Sequence, residues 1–391
     1  MKKLILSFVI AVSIIYSIQS QQLSQTIRGK VTDKESKIPV IGVTMVIEAS
    51  DPPLGTITDM NGEFRFDDLG VGRYNIIVSC LGYESKTIPN IILGAGKEVV
   101  LNIEITESVI ELNEVVINGK AHKAETLNKM SSVSARSFTI EETKRYAGSI
   151  NDPARMAMSF AGVTGDPDGN NDIVVRGNSP RGMLWRLEGI EIPNPNHFAE
   201  EGSTGGPISI LNSTTLDNSD FFTGAFPAEY GNACSGVFDI NLRQGNNQKK
   251  EYSFQAGFLG TDCSAEGPFS KNYGGSYLVN YRYSTLAVLN FIGIRIEGFA
   301  VPKFQDLTYK LYLPTKNLGT FTLFGIGGIS TIHKEDEIYV NDFGTDMGVA
   351  GVSHLYHINE KTYLKSVVAV TGSSNKWKYV EDDNPADFYF E

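Results

Sequence analysis

Cysteine is scarce in this chain: Cys80, Cys234 and Cys263 are the full set, widely spaced and odd in number. An exported chain held together by disulfides shows an even, denser set. Three buried thiols acting as small hydrophobes are expected instead. Basic residues are also in deficit, with 34 Lys and Arg against 45 Asp and Glu and a net charge of −11. Neutralising phosphates requires basic patches, so nucleic-acid binding is not expected. Long apolar runs are missing beyond the N-terminus. The best later candidate, Leu286 to Ile296, is short and interrupted by Asn290 and Arg295, so it is no transmembrane helix. An assembled catalytic constellation is missing as well. His122-Lys123-Ala124-Glu125 has the H-x-x-E spacing of a zinc peptidase, but the third ligand and the α/β domain around a metal do not follow. The expectation is a chain that is not an enzyme and needs no cofactor or metal, with a zinc peptidase using His122 and Glu125 as the outlying alternative.

What is present begins at residue 1. Met1-Lys2-Lys3 is followed by an apolar run of about 15 residues, then by Ser17 and Ser20 ahead of Gln21. The run falls short of the ~20 residues that span a bilayer and reads as a secretory signal over residues 1–20. No cysteine sits near the cleavage point, so a lipid anchor is not indicated. Glycine is plentiful at 39 residues, as are Tyr at 17 and Phe at 21, which leans towards an all-β chain. A length of 391 residues leaves room for two or three domains.

Residues 26–106 alternate cleanly. Ile27, Gly29 and Val31 share one face; Val43, Met45 and Ile47, then Tyr74, Ile76, Val78 and Cys80, then Val99, Leu101, Ile103 and Ile105 repeat the pattern. Asp51-Pro52-Pro53, Asp59-Met60-Asn61-Gly62 and Gly70-Val71-Gly72 punctuate them. About seven short strands with period-2 patterning describe a small β-sandwich with Cys80 on its inner face. The string Gly29-Lys30-Val31, Thr58 to Phe64, Gly72-Arg73-Tyr74 and Gly82-Tyr83 resembles the carboxypeptidase-regulatory-like sandwich, an accessory module without peptidase activity.

A linker at 107–120 contains Leu112-Asn113-Glu114-Val115-Val116-Ile117, a short β-prone run with acidic neighbours. Such a run suits strand addition to a partner's sheet edge, or it is a last sandwich strand or a plain linker. Residues 121–245 mix short helices and strands. Thr139-Ile140-Glu141-Glu142 has capping-box spacing. Asn151-Asp152-Pro153 predicts a second helix through Phe160 that stops at Gly162. Asp166 to Asp172 lacks the rest of a calcium loop and reads as Asx turns. Three β-runs follow, Ile173–Val175, Met183–Leu187 and Val237–Leu242, joined by long Gly/Asn/Pro-rich connections of the functional kind. His197 sits in one of these loops without a carboxylate partner pattern.

The segment Ala161-Gly162-Val163, Ile173 to Gly177, Leu187-Glu188-Gly189-Ile190, Gly224 to Gly231 and Gly236 to Arg243 with Gly245 resembles the plug domain of TonB-dependent outer-membrane receptors. The marks carried over are Arg176, Gly177, Arg186, Glu188, Gly189, Gly224, Glu229, Tyr230, Gly231 and Arg243. The resemblance implies that Leu112–Ile117 is the "TonB box", which pairs with TonB of an inner-membrane energy-transducing complex. A plug must sit in a polar lumen, so Arg176, Arg186, Glu188 and Glu229 are candidates for charge-assisted bonds to the lumen wall.

From 246 to 391, Tyr252, Phe254, Ala256 and Phe258 alternate with polar residues. So do Tyr277, Val279, Tyr281 and Tyr283, and then Leu307, Tyr309, Leu311 and Leu313. Runs of about 10 residues with one apolar, aromatic face mark a transmembrane β-barrel. The segment has room for roughly six or seven spanning strands, where a plug-holding lumen needs about 22, so an incomplete barrel is expected. The fold expected is mainly β: a sandwich, an α+β plug, then the first strands of a transmembrane antiparallel barrel. The function expected is energy-coupled uptake at the cell outer membrane, with the sandwich in the periplasm. The ligand would be a ferric chelate, a peptide or a glycan, and a surface lipoprotein a further partner. The alternative is an exported periplasmic or surface binding protein built on the sandwich.

Overall fold

The computed structural model describes residues 23–48, 52–108, 134–138, 143, 146–149, 151–165, 169–200, 202–257, 260–291, 302–335, 339–359, 362–381 and 384–390, which divide into two compact units, 1–122 and 123–391. Alternating apolar residues build the first unit. Strands β1 (Ser24–Asp33), β4 (Glu63–Gly70) and β7 (Val99–Ile105) form one sheet in the order β4-β1-β7. Strands β2 (Thr44–Ile47), β3 (Gly55–Ile57), β5 (Gly72–Ser79) and β6 (Lys86–Leu93) form a second in the order β3-β2-β5-β6. Strand β7 runs parallel to β1, with Ile27 opposite Val99 and Asp33 opposite Ile105. The inner faces supply one dry core that includes Ile27, Val31, Val43, Met45, Ile76, Val78 and Ile103, with Cys80 packed against it. Behind the β1 sheet, Arg28 and Glu98 are buried and paired at 2.8 Å. The turn after Thr58 closes on Gly62 at φ 72°, where a Cβ would lie 2.5 Å from the Val31 carbonyl oxygen. Only glycine fits there.

The second unit has an inner five-stranded sheet and an outer wall. The inner sheet comprises β8 (Ala135–Phe138), β11 (Met183–Leu187), β12 (Ile190–Ile192), β15 (Ser219–Phe222) and β16 (Gly236–Ile240), in the order β12-β11-β16-β15-β8. Strands β11 and β16 are parallel, Met183 facing Gly236 and Leu187 facing Ile240. Two small hairpins flank it: β9 (Val163–Gly165) with β10 (Ile173–Val175), and β13 (Asn196–His197) with β14 (Ile208–Ser209). Helix α1 (Pro153–Ala157) starts as expected, with the Asp152 carboxylate accepting from the Ala154 N–H at 2.8 Å and Pro153 in the first turn. It is shorter than the sequence suggests, because the chain leaves the helix at Met158 and turns through Gly162 at φ 79°. The capping-box run Thr139–Glu142 and residues 166–168 of the Asp166 loop lie outside the described residues, as do the zinc-like pair His122 and Glu125 and the segment Leu112–Ile117.

The core of this inner sheet is a stack of rings. Trp185 lies flat on Phe238 with centroids 4.5 Å apart, and Phe221 meets Phe238 at 4.4 Å. Phe138 approaches the same ring edge-on at 6.0 Å. Phe324, Ile326, Met347 and Val349 of the wall belong to the same buried cluster.

The wall is an antiparallel meander of eight strands in sequence order: β17 (Glu251–Ala256), β18 (Thr261–Ser270), β19 (Tyr273–Tyr283), β20 (Lys303–Pro314), β21 (Thr320–Glu335), β22 (Tyr339–Asn359), β23 (Thr362–Glu381) and β24 (Asn384–Phe390). Six of them, β18 to β23, are ten residues or longer, in line with the roughly six or seven spanning strands for which the segment has room. Period-2 alternation divides its two faces. Tyr252, Phe254, Val368 and Val370 are 69–76 % exposed on the outside, whereas Asn280 and Thr308 are fully buried on the inside. Helix α2 (Thr285–Phe291) covers part of the Leu286–Ile296 stretch, and no helix among the described residues is long and apolar enough to cross a membrane.

Candidate functional site

The inner sheet and the wall meet through polar and charged side chains that are buried between them. Glu188 and Gly189 occupy the two central positions of the β11–β12 hairpin, with φ of 53° and 91°. A two-residue turn of this hand needs positive φ at both, which is why the dipeptide ends in glycine. The turn buries the Glu188 carboxylate, which accepts from Lys310 Nζ of β20 at 2.8 Å and from the Leu242 N–H at 2.8 Å. Lys310 Nζ also donates to the Leu242 carbonyl at 2.6 Å. Each group of this pair is therefore compensated by charge and by hydrogen bonds, which is the condition for an ion pair to survive burial.

A second contact lies where the inner sheet runs into the wall. Arg243 forks onto Glu266 of β18 at 2.6 and 2.7 Å, and its Nε donates to the Thr214 carbonyl at 2.7 Å. The Asn246 N–H also donates to Glu266. Beside it, a Cβ on Gly245 would stand 2.0 Å from the Tyr277 carbonyl oxygen, so the two backbones touch.

The third contact was not legible in the sequence. His197, fully buried at the tip of the β13–β14 hairpin, bonds through Nε2 to Asp306 Oδ2 of β20 at 2.9 Å. The absent carboxylate partner is thus supplied from 109 residues away. Arg282 of β19 closes the group, donating to Asp306 at 2.7 Å and to the Ser209 carbonyl. Burial holds the His197 imidazole below its ordinary pKa, opposed by Asp306 and reinforced by Arg282. Its Nδ1 has no hydrogen-bond partner among the described residues. Next to it the Phe198 N–H donates to Thr345 Oγ1 at 2.9 Å and to Ser330 Oγ at 3.2 Å. Asn212 donates to Asn280 of β19 at 3.0 Å.

The other marked residues stay within the inner sheet. Arg176 and Gly177, at φ 50° and 80°, make the turn after β10, and the exposed Arg176 guanidinium donates to Ser134 Oγ at 2.7 Å and to Thr223 Oγ1. Gly224 passes beneath that guanidinium, its Cβ position 3.1 Å from Arg176 Nη1. Arg186 donates to the Gly189 carbonyl at 2.6 Å, sits 3.8 Å from Glu229, and covers the Tyr230 ring at 4.6 Å. The Tyr230 hydroxyl donates to Asp239 at 2.8 Å. Burial raises the Asp239 carboxyl above the usual range, against this hydrogen bond and the nearby Arg186. Gly231 has open space around it. Of the four residues expected to reach the wall, Glu188 reaches it. Arg176 bonds instead to the Ser134 and Thr223 hydroxyls and Arg186 to the Gly189 carbonyl, while Glu229 lies 3.8 Å from Arg186. Cys234 and Cys263 are exposed, which corrects the expectation of three buried thiols; Cys263 points outward from β18.

Comparison with known proteins agrees with this architecture. Residues 27–117 match the CarboxypepD_reg-like domain family, a span that runs past β7 and over Leu112–Ile117. Over 250 residues, 61 % of its length, the chain is 24 % identical to the TonB-dependent transporter Oar of Myxococcus xanthus. It spans about a fifth of that relative, 22 % of its length. The chain thus carries a CarboxypepD_reg-like domain ahead of a second unit, and it is similar in sequence to a TonB-dependent transporter. Among solved structures, a ferric enterobactin receptor mutant of Pseudomonas aeruginosa in complex with enterobactin is similar at TM-score 0.41 and 14 % identity, covering 66 % of this chain and 45 % of that one. The siderophore receptor PirA of Acinetobacter baumannii is similar at TM-score 0.34 and 12 % identity, covering 64 % and 45 %.

Proposed function

We propose that the chain belongs to an outer-membrane receptor for energy-coupled uptake, in which residues 121–245 gate a pore bounded by the wall of residues 246–391. The observation that supports this reading is the two-faced wall. Its outer side chains are apolar and aromatic, as a lipid-facing surface requires, while its inner face is polar and bonded to the inner sheet. A seat of ion pairs and amide contacts suits a gate, because each group can exchange its partner for water when the pore opens. The N-terminal sandwich then lies in the periplasm, and TonB takes Leu112–Ile117 by strand addition. Ligand passes inward past the displaced plug, and no covalent chemistry is involved. The ligand is a ferric chelate, a peptide or a glycan.

The test is a Val115→Pro variant of the full-length protein. Proline removes an N–H from the strand that TonB would pair with. Outer-membrane fractionation is expected to be unchanged, while cross-linking to TonB and transport fall to background. Unchanged cross-linking would remove Leu112–Ile117 from the mechanism. Recovery of the wild-type protein in the soluble periplasmic fraction would favour a binding protein built on the sandwich.

A further inference from the structure

The wall grips the backbone of the inner part at one strained residue. Phe198 follows β13 with φ at 56°. That is the left-handed region, where a Cβ crowds the next carbonyl oxygen and where glycine, asparagine and aspartate are the usual occupants. Ten non-glycine residues among those described have positive φ, and Phe198 is the one aromatic among them. Its N–H donates to Thr345 Oγ1 at 2.9 Å and to Ser330 Oγ at 3.2 Å. Those two buried hydroxyls lie opposite each other on β22 and β21 and bond to each other at 2.7 Å. A backbone held off its preferred region persists where its surroundings over-determine it. Here the surroundings are the wall.

The neighbouring residues set how far this grip extends. One residue back, the His197 ring fills a socket left by a wall glycine: a Cβ on Gly328 of β21 would lie 2.7 Å from His197 Cε1 and 2.7 Å from Ile210 Cδ1. Asp306 of β20 takes the ring through Nε2 at 2.9 Å. Another residue back, the attachments change side. Asn196 accepts from Asn171, which also donates to Asp152 at the start of helix α1. The only ladder that β13 makes is with β14, and it has two residue pairs. Glu188 and Arg243, by contrast, directly follow β11 and lie just beyond β16, which are interior strands of the five-stranded sheet. Segments with few backbone bonds of their own open locally at less cost than the sheet they adjoin.

We infer that His197 and Phe198 form a cocked latch: the Ser330 and Thr345 hydroxyls hold Phe198 in its strained conformation, and the seam between inner sheet and wall opens there first, while Glu188–Lys310 and Arg243–Glu266 stay closed. What the opening serves rests on the proposed function, as a first step that leaves the five-stranded sheet in place. Once the two hydroxyl bonds break, Phe198 returns to the extended region and its N–H no longer points at the wall. One residue with two conformations thus biases the seam between two states.

Hydrogen exchange of the full-length receptor in detergent, without TonB or ligand, reads the opening. Three amides report the three contacts: Phe198, bound to Ser330 and Thr345; Leu242, bound to Glu188; and Asn246, bound to Glu266. In the wild type, Phe198 is expected to be protected at least tenfold less than the other two. Ser330→Ala with Thr345→Val should lower its protection a further tenfold and leave Leu242 and Asn246 unchanged. Phe198→Gly and Phe198→Ala both remove the ring, but only glycine is at ease at positive φ. The glycine variant should therefore protect this amide at least fivefold better than the alanine variant, a comparison that stands even if the hydroxyl variant does not fold. Equal protection of the three amides in the wild type, or a loss shared by all three in the hydroxyl variant, would mean that the seat opens as one body and overturns the latch. Equal protection in the glycine and alanine variants overturns the stored strain, and the latch with it. With neither TonB nor ligand present, these failures leave the proposed function standing.

Discussion

The sandwich closes its core with side chains from its own two sheets, whereas the inner sheet of the second unit shares its core with the wall. Ile27, Met45, Ile76 and Ile103 all come from strands within residues 24–105. The plug's ring stack at Phe138, Trp185, Phe221 and Phe238 instead continues into Phe324, Ile326, Met347 and Val349. The polar groups divide in the same way. Arg28 and Glu98 are paired within the sandwich, but Glu188, Arg243 and His197 of the plug find their partners on the wall. A self-contained core makes a module that keeps its shape wherever its partners are. A shared one makes an element whose ordered state depends on where it sits.

The hardest blow to this comparison is to remove the ring common to the stack. Phe238→Ala should cost about 4 kcal/mol, the usual price of truncating a buried aromatic side chain. Both tryptophans, Trp185 and Trp377, lie in the second unit, so a fluorescence melt reports that unit alone. Its transition should fall sharply, while hydrogen exchange in the sandwich strands stays at the wild-type level. Equal loss of protection in the sandwich would mean that the two cores are not independent. Lys310→Met comes next. It leaves the Glu188 carboxylate buried without its cation, at a cost of about 3 kcal/mol. Adding Glu188→Gln should restore much of that loss, and a double variant no more stable than Lys310→Met would show that the pair is not coupled.

Local pattern carried much of this fold into view. Period-2 alternation gave the sandwich faces, the outward Tyr252 and Phe254, and the inward Asn280, because one buried face imposes that period on any strand. Asp152-Pro153 announced a helix start through a backbone requirement that few residues meet. The site itself was far less legible. Glu188 and Lys310 are 122 residues apart, and His197 and Asp306 are 109 apart; no local rule links them. Asp306 and Lys310 did appear on the polar face of their strand, but which plug residue each would meet depends on how two sheets pack. Arg176 and Arg186 show the converse: the right chemistry for a wall contact, bonded instead to groups close by, Ser134 and Thr223 for the one and the Gly189 carbonyl for the other.

The finest test of the shared seat uses its histidine. Charged or titratable groups facing His197 are Asp306 and Arg282, with Asp262 beside Arg282. Burial holds the seated imidazole below its ordinary value of 6.5. An inner sheet parted from the wall would therefore take up a proton at His197 as pH falls through about 6.5, and one held against it would not. Stability of the seat is thus complete above that value and is lost as pH falls from it towards the lower seated pKa, by at most ~1.4 kcal/mol per pH unit. In His197→Gln the side-chain amide can still donate to Asp306 but does not titrate. The fluorescence melt of the second unit should fall more steeply between pH 7 and pH 5 in the wild type than in His197→Gln, while sandwich exchange follows the same pH course in both. Parallel melts in the two proteins would place the acid sensitivity elsewhere, and with it the claim that this hairpin tip is held to the wall by a neutral imidazole.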